Sequence, residues 1–437
     1  MNAPIDIKAP ASKSVSHRAF ICAALAEGTS LVTDALESDD LIRTRRCLTA
    51  AGAVFRNTER GWEITGTAGR PSGGMKHPAD CDVGESGTTC RLLTAVLAAG
   101  RGLFRIHGEG RMHERPIGQL VSALEHLGPV FEWEGKPGFP PFVIRTEGLC
   151  GDHADVSLEE SSQYLSGLLL AAPMALRPIV VGVGGAKVVS WPYVSLTLMA
   201  MADFGAALDV ELLQDGAWVP TPFTEVREVV PGGIRFRARP TPYRARSYTV
   251  EGDWSNASYF LAAGAAGPRP VRVTGLRRDS LQGDRAILDI LQAMGANVEW
   301  DDAGVTVSGQ GLRGVEVDMG HCPDLVPTVC AVAAQAQGPT TIRNVAHLRI
   351  KESDRLEACA AEIARAGGVT ATFADGLTVT PAPLEKERPV TFSTYGDHRM
   401  AMSLSLLELA GVDVRLDKPA CVAKSFPGFW DQWRLVR

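Results

Sequence analysis

Two patterns of hydrophobic and polar residues alternate along this chain. In the first, apolar residues at helical spacing end at a glycine and give way to apolar residues at every second position, as in L-T-A-A-G-A-V-F and L-Q-A-M-G-A-N-V-E-W. In the second, an Ala-rich helical run precedes a turn and a strand, as in L-A-A-G-R-G-L-F-R-I. Both patterns predict helix–turn–strand segments, because glycine ends the helix and a two-residue period indicates a strand.

The first pattern occurs five times and the second six times, at a spacing of roughly 70 to 90 residues. This spacing fits a small α/β supersecondary unit and is too long for a solenoid repeat. A doubly wound sheet would also contain such segments, but not their strict alternation. Six units in 437 residues predict two domains of three units each.

The periodicity is weakest at P-G-G-I-R-F-R-A-R-P-T-P-Y-R-A-R, which is rich in Pro, Gly and Arg. We therefore expect one domain over residues 12–249 and another over 250–437 plus 1–11. The chain ends before a sixth strand of the first type, and the strand-like segment I-D-I-K near the N-terminus could supply it.

Composition predicts a globular enzyme of the cytoplasm. The chain is 45% hydrophobic and 22% charged, and its formal net charge of −6 argues against general affinity for nucleic acid. It contains no apolar run long enough for a membrane span and no secretory signal. Its nine cysteines form no C-x-x-C pair and show no metal-ligand spacing with histidine, so we expect reduced thiols and no metal.

Eight cations nevertheless lie in short motifs that also contain Ser, Gly or Pro. Clustered cations in an acidic chain predict small polyanionic ligands such as phosphates and carboxylates. The eight residues are Lys13, Arg18, Arg91, Arg115, Lys351, Arg355, Arg399 and Lys424.

Two of these motifs, S-K-S-V-S-H-R and G-E-S-G-T-T-C-R, precede apolar helical runs. Hydroxyl groups at a helix start cap free backbone N–H groups, and the helix dipole favours an anion there. Gly87 would allow a ligand to approach the backbone closely. A capped surface helix with solvated cations is the alternative for the first motif, and the second lacks the G-K-[ST] ending of a P-loop.

Carboxylates accompany the later motifs. K-E-S-D-R places Lys351, Glu352 and Arg355 within about one helical turn, where a surface ion pair is the plain alternative. Asp324 precedes an apolar helix and could either cap that helix or act as a general base. S-S-Q-Y-L-S-G offers hydroxyls and an amide, and D-H-R-M carries a histidine and an arginine.

As a set and in order, these motifs resemble the 5-enolpyruvylshikimate-3-phosphate synthase family, as do E-G-D-W-S-N-A-S-Y-F-L and A-K-S-F-P-G-F. The resemblance implies an α/β fold of two similar domains, each of three β-α-β-α-β-β units in an inside-out α/β barrel, with a cleft between them. It implies metal-free and cofactor-free transfer of the enolpyruvyl group of phosphoenolpyruvate to shikimate 3-phosphate. It also implies a monomer that is a target of glyphosate.

The resemblance also implies roles for individual residues. Asp324 is expected as the base, Glu352 as the proton donor, and Lys13 as a catalytic residue that contacts both substrates. Gln163 should lie between the substrates. Shikimate 3-phosphate is expected at Lys13, Ser14, Arg18, Ser161, Ser162, Gln163, Ser190, Asp324 and Lys351. Phosphoenolpyruvate is expected at Lys13, Gly87, Arg91, Arg115, Gln163, Arg355, Arg399 and Lys424.

Three departures separate this chain from better-known members of that family. His17 replaces Asn in the first motif, His347 stands where an Asn is usual, and Glu85-Ser86 with Leu92 replace Asn-Ala and Pro around Gly87. UDP-N-acetylglucosamine enolpyruvyl transferase shares the fold and the donor, but its loop cysteine has no evident counterpart here. A non-catalytic phosphate-binding protein would not need the paired carboxylates.

Overall fold

The computed structural model describes residues 3–226 and 229–437. The chain divides into two compact units. The central unit comprises Lys13–Val250, and the terminal unit comprises Glu251–Arg437 together with the N-terminal residues through Ser12. β1 (Ile5–Lys8) belongs to the terminal unit.

The central unit contains three sheets and six α-helices among its described residues. In chain order its elements are α1 (Lys13–Leu25), β2 (Thr29–Thr33), α2 (Asp39–Ala50), β3 (Val54–Thr58), β4 (Gly61–Thr65), β5 (Ala79–Asp82), α3 (Gly87–Ala98), β6 (Gly102–His107), α4 (Gly118–Glu125), β7 (Val130–Trp133), β8 (Phe142–Thr146), β9 (His153–Leu158), α5 (Gln163–Ala171), β10 (Ile179–Val188), α6 (Pro192–Asp203), β11 (Asp209–Gln214), β12 (Ala217–Pro220), β13 (Ile234–Ala238) and β14 (Ser247–Thr249).

The terminal unit repeats this plan. After β1 its elements are α7 (Trp254–Ala266), β15 (Val271–Thr274), α8 (Ile287–Ala293), β16 (Asn297–Trp300), β17 (Gly304–Ser308), β18 (Glu316–Asp318), α9 (Val326–Ala333), β19 (Thr340–Arg343), α10 (Arg355–Arg365), β20 (Val369–Phe373), β21 (Gly376–Thr380), β22 (Val390–Phe392), α11 (His398–Leu404), β23 (Val414–Leu416) and α12 (Phe429–Val436).

Four of the six sheets in the described residues share one strand topology, the five-stranded sheet adds β12 to it, and β22-β23 is a single parallel pair. The strand orders are β14-β2-β4-β3, β5-β6-β8-β7 and β12-β11-β13-β10-β9 in the central unit, and β1-β15-β17-β16, β18-β19-β21-β20 and β22-β23 in the terminal unit. In each of the larger sheets one parallel pair is extended by antiparallel strands, as where β5 pairs parallel with β6 and β6 pairs antiparallel with β8. Every sheet of the described residues keeps two edge strands, so none closes into a barrel.

The α/β class and the alternation of two helix–strand patterns are confirmed. Five helices end at a glycine with positive φ before a strand, and a left-handed residue at this position closes the helix. These glycines are Gly52, Gly128, Gly205, Gly295 and Gly367.

The expected partner of the N-terminal strand was wrong. β1 pairs with β15 and so completes the sheet that contains β16 and β17, not the last sheet, which holds β22 and β23 alone. The pattern of I-D-I-K indicated a strand, but a four-residue strand carries no information about which edge it joins.

The helices of the second pattern form the interior of each unit. In α1 eleven consecutive residues from Val15 to Leu25 are buried, and α9 and α11 are buried throughout. A helix that is apolar on all sides must lie inside the protein. The N-termini of α1, α3, α5 and α11 carry the motifs predicted to bind anions, so each interior helix presents its start to a candidate site. None of the helices in the described residues is long and apolar enough to cross a membrane.

Candidate active site

At the start of α1, two cations are held in different ways. Lys13 Nζ lies 3.3 Å from the Asp40 carboxylate on α2. Arg18 donates to three neutral oxygens, namely Thr197 Oγ1 at 2.8 Å, the Ser14 carbonyl at 2.8 Å and the Tyr193 carbonyl at 2.7 Å. Burial lowers the pKa of Arg18 to about 10, so the guanidinium remains charged at neutral pH.

The four serines expected around shikimate 3-phosphate lie near the starts of helices, and Ser14 is the second residue of α1. Ser161 Oγ accepts the Gln163 backbone N–H at 3.2 Å, and Ser162 is the residue before α5. Ser190 is buried with φ +55°, a conformation that non-glycine residues adopt rarely. Its carbonyl accepts the backbone N–H of Tyr193, so the Ser190 turn adjoins the residue that binds Arg18.

The start of α3 brings together Gly87, Arg91, Arg115 and Gln163. Arg91 Nη1 donates to Gln163 Oε1 at 3.1 Å, and Arg115 Nη1 donates to the Glu85 carbonyl at 3.1 Å. A Cβ added to Gly87 would lie 2.3 Å from Arg115 Nη2 and 2.8 Å from Arg91 Nη1. The two guanidinium groups therefore lie directly against the glycine backbone, and a side chain at this position would displace them.

In the terminal unit, Asp324 lies between two arginines. Its Oδ1 accepts from Arg355 Nη1 at 2.9 Å and its Oδ2 from Arg399 Nη2 at 2.7 Å. Burial raises the pKa of the Asp324 carboxyl, but Arg399, Arg355 and Lys351 outweigh it, so this pKa lies below its ordinary value. Asp324 is therefore ionised at neutral pH.

Glu352 shares Arg355 with Asp324. Glu352 Oε2 lies 2.9 Å from Arg355 Nη2, and Glu352 Oε1 lies 3.7 Å from Lys424 Nζ. The Arg355 side chain is 2% exposed, whereas those of Asp324 and Glu352 are 20% and 15% exposed. The two carboxylates thus reach the surface of the unit while the arginine between them is buried.

The comparisons with known proteins agree on one family. The family model described as "EPSP synthase (3-phosphoshikimate 1-carboxyvinyltransferase)" matches residues 4–433. The chain belongs to the EPSP synthase family.

Several relatives named 3-phosphoshikimate 1-carboxyvinyltransferase are similar over nearly their whole length. The one from Sulfurovum sp. (strain NBC37-1) is 39% identical over 98% of this chain and 95% of its own. The one from Thiobacillus denitrificans (strain ATCC 25259 / T1) is 42% identical over 98% of this chain and 96% of its own.

Solved structures show the same fold. An EPSP synthase from Acinetobacter baumannii superposes with a TM-score of 0.74 at 25% identity, covering 98% of this chain and 94% of that one. The enolpyruvyl transferase NikO from Streptomyces tendae gives a TM-score of 0.70 at 17% identity, with 100% and 95% coverage, and this likeness concerns the fold alone.

The residues in which this chain departs from the EPSP synthase pattern are mostly buried. His17 points from α1 to α2, where its Nδ1 lies 2.8 Å from Thr44 Oγ1. His347 is buried after β19, and Leu92 is fully buried in α3. Ser86 is the N-cap of α3 and accepts the Thr89 backbone N–H at 3.3 Å.

Two aspartates in these clusters were missed by the sequence analysis. The Asp40 carboxylate forms an ion pair with Lys13. Asp397 is fully buried and accepts a hydrogen bond from Arg355 Nε at 2.7 Å. Asp397 also accepts the Arg399 backbone N–H at 3.0 Å, so one carboxylate orients both arginines that hold Asp324. The only signal in the sequence was position: Asp397 directly precedes the histidine and arginine of D-H-R-M, and Asp40 is the second residue of a helix.

Proposed function

We propose that the chain transfers the enolpyruvyl group of phosphoenolpyruvate to the 5-hydroxyl of shikimate 3-phosphate, the reaction of its family, with the residue roles given below. The observation that carries this assignment is the pair of partly exposed carboxylates, Asp324 and Glu352, held by one buried arginine. A phosphate-binding protein without chemistry needs cations only. Addition of a hydroxyl group to the double bond of an enol phosphate needs one acid and one base beside them.

The cations of the central unit suit the anionic substrates. Arg18 donates only to neutral oxygens among the contacts described, so its positive charge is available to the phosphate of shikimate 3-phosphate. The family resemblance assigns further donors to this substrate, namely Ser14, Ser161, Ser162, Ser190 and Lys351. Arg91 and Arg115, side by side against Gly87, would bind phosphoenolpyruvate, to which the resemblance also assigns Arg355, Arg399 and Lys424. Lys13 and Gln163 would contact both substrates.

The proton transfers follow from the carboxylates. Glu352 gives a proton to the methylene carbon of phosphoenolpyruvate. Asp324 takes the proton of the 5-hydroxyl group while the hydroxyl oxygen forms a bond to C2 of phosphoenolpyruvate. The C2–O bond to phosphate then breaks. Glu352 recovers a proton from the methyl group as the double bond re-forms, and the proton from the hydroxyl leaves with phosphate.

Displacement of the arginines would make Asp324 a better base. Arg355 and Arg399 hold its pKa low in the structure without substrate. When the two guanidinium groups turn to the carboxylate and phosphate of phosphoenolpyruvate, Asp324 loses part of that stabilisation and its pKa rises. The base would thereby gain strength when the second substrate is bound.

A phosphate-release assay tests the activity. With phosphoenolpyruvate present, shikimate 3-phosphate should support phosphate release and UDP-N-acetylglucosamine should not. Release with the nucleotide sugar alone would assign the chain to the related transferase. Release with neither acceptor would leave phosphate binding as its function.

We also propose a cytoplasmic monomer. All nine cysteines are free thiols and seven of them are buried, as expected for a protein folded under reducing conditions. The exposed large hydrophobic side chains of the described residues lie on different strands, loops and helices, among them Val54, Met75, Val130, Val369 and Leu435. Sedimentation at micromolar concentration measures the mass, and a dimer would contradict the proposal.

A further inference from the structure

A chain of buried hydrogen bonds links helices α1, α2 and α3. His17 Nδ1 lies 2.8 Å from Thr44 Oγ1, and Thr44 Oγ1 lies 2.7 Å from Thr89 Oγ1. Thr89 Oγ1 in turn lies 2.8 Å from Ser86 Oγ. None of the four side chains is more than 1% exposed. The helix that begins at Lys13 is thus joined to the start of α3 by four polar side chains.

Only one arrangement of protons keeps all of these hydrogen bonds together with the one that Thr89 forms to the Asp40 carbonyl. Thr89 Oγ1 donates to the Asp40 carbonyl, 3.2 Å away, which can only accept. Thr89 Oγ1 must then accept from both Thr44 and Ser86. Because the Thr44 proton is used in this way, Thr44 Oγ1 accepts from His17, whose proton lies on Nδ1. Burial lowers the pKa of His17 to about 3, which agrees with a neutral ring that has a single proton.

Two of the departures from the family pattern, His17 and Ser86, are the two ends of this chain. We propose that His17 is a positioning residue for the phosphoenolpyruvate site, acting through Thr44 and Thr89 on the Ser86-capped start of α3. The inference rests on the proposed function, since it concerns the binding of that substrate.

The position of Ser86 matters because Gly87 follows it directly. The Gly87 backbone lies against Arg115 and Arg91, with no room for even one added carbon. A shift of a few tenths of an ångström at the helix start would therefore move these guanidinium groups. Arg18, in contrast, donates to Thr197 Oγ1 and to the Tyr193 carbonyl, and neither residue takes part in the hydrogen bonds that link His17 to Ser86. Breaking those hydrogen bonds should therefore weaken the binding of phosphoenolpyruvate more than that of shikimate 3-phosphate.

Steady-state kinetics on single variants tests this selectivity. His17→Leu removes the link to Thr44, and Thr89→Val removes the links to Thr44 and Ser86. Each should raise the KM for phosphoenolpyruvate roughly tenfold, as expected for a buried group left without its partner. The KM for shikimate 3-phosphate should change less than about twofold. His17→Asn and Thr89→Ser, which keep a donor or a hydroxyl, should restore most of the loss. Thr94→Val is the matched control, because Thr94 Oγ1 donates to the Cys90 carbonyl on the same helix, outside the chain.

A double-mutant cycle tests whether the two ends act together. If the hydrogen bonds from His17 to Ser86 together fix the start of α3, the double variant His17→Leu with Ser86→Ala should have a KM for phosphoenolpyruvate less than about twofold above that of His17→Leu alone. Multiplicative effects of the two substitutions would overturn the proposal, and so would equal changes in both KM values. A wild-type protein that is inactive with both substrates would contradict the proposed function and, with it, this inference.

The proton arrangement is measured on the wild-type protein, and a variant is needed only to assign the signal. ¹⁵N NMR of the neutral imidazole, assigned by loss of the signal in His17→Asn, should show protonation on Nδ1. Protonation on Nε2 would mean that Thr44 donates to His17. Thr89 could then not donate both to Thr44 and to the Asp40 carbonyl, so the proposed set of hydrogen bonds could not exist as a whole and the inference would be wrong.

Discussion

The arginines in the candidate clusters of the two units have different partners, although Lys13 of the central unit also pairs with a carboxylate, that of Asp40. In the central unit, Arg18 donates to a hydroxyl and two carbonyls, and Arg91 donates to an amide. In the terminal unit, Arg355, Arg399 and Lys424 all pair with carboxylates. The pKa values follow this difference. Burial lowers that of Arg18 to about 10. Burial also lowers that of Arg355, but Asp397, Glu352 and Asp324 outweigh it and raise the value above its ordinary one.

The difference suggests a division of labour between the units. Neutral acceptors fix the geometry of Arg18 without cancelling its charge, so this arginine is prepared for a phosphate. Carboxylates cancel the charges of the terminal cluster. Under the mechanism proposed above, an anionic substrate would replace these carboxylates and release Asp324 and Glu352 for proton transfer. The central unit would then serve mainly to bind substrate, and the terminal unit would supply the acid and the base.

The largest expected effect is the loss of turnover in Asp324→Asn. The amide keeps the size of the carboxylate but cannot accept a proton, and a general base contributes about 10²–10⁴-fold to the rate. We expect kcat to fall by that factor while shikimate 3-phosphate still binds to Arg18 and the serines. Kinetics and calorimetric titration measure the two quantities. Asp354→Asn is the control, because Asp354 caps α10 and pairs with Arg349 outside the cluster. Turnover within a few-fold of wild type would make Asp324 a structural residue.

The two arginines should differ in their contribution to stability. Arg355→Met leaves three carboxylates around a buried position without their common cation, which should cost about 3–5 kcal/mol. Arg18→Met leaves only neutral acceptors unpaired, and about 1–3 kcal/mol is expected. Hydrogen exchange measured on peptides of each unit gives the two opening free energies separately. A larger loss in Arg18→Met would contradict the comparison between the units.

Local sequence patterns predicted the helices and strands more accurately than they predicted contacts between residues far apart in the chain. The five glycines that end helices could be located from sequence because their left-handed conformation is a local requirement. The pairing of Asp397 with Arg355, 42 residues away, and of Asp40 with Lys13, 27 residues away, leaves no periodic trace. The sheet that β1 joins was equally hard to predict, since its partner β15 lies more than 260 residues further along the chain.

Acid should destabilise the central unit first. Burial lowers the pKa of His17 from 6.5 to about 3, so between these values the unfolded chain binds a proton that the folded unit does not. The free energy of unfolding therefore falls as the pH falls below 6.5, by about 1.4 kcal/mol per pH unit. In the terminal unit, Asp324 has a lowered pKa, and its contribution is lost only below the ordinary aspartate value of 3.8.

Hydrogen exchange at pH 7 and pH 4.5 tests this order of unfolding. Peptides of α1 and α2 should lose roughly 2–3 kcal/mol more protection in the wild type than in His17→Asn, which has no group to titrate at this position. Peptides around Asp324 should behave alike in the two proteins. Equal acid sensitivity of α1 in both proteins would mean that His17 is protonated without penalty in the folded state.

The smallest effect should come from Gly87→Ala, which tests how closely the central cations fit their ligand. The added Cβ would lie 2.3 Å from Arg115 Nη2, so the guanidinium must move, although Arg115 Nη1 is held by the Glu85 carbonyl. We expect the KM for phosphoenolpyruvate to rise about tenfold, the lower end of what one carbon achieves in a binding site. Glyphosate is longer than phosphoenolpyruvate, and its inhibition should be weakened by a larger factor, because the methyl group acts by repulsion.

Gly184→Ala is the matched control, since its Cβ would meet only the Asp155 Cβ at 4.0 Å. Titrations of substrate and inhibitor on the three proteins measure both factors. Equal factors for the two ligands would show that the methyl group acts only through Arg115, and a wild type indifferent to millimolar glyphosate would show that the loop already excludes it.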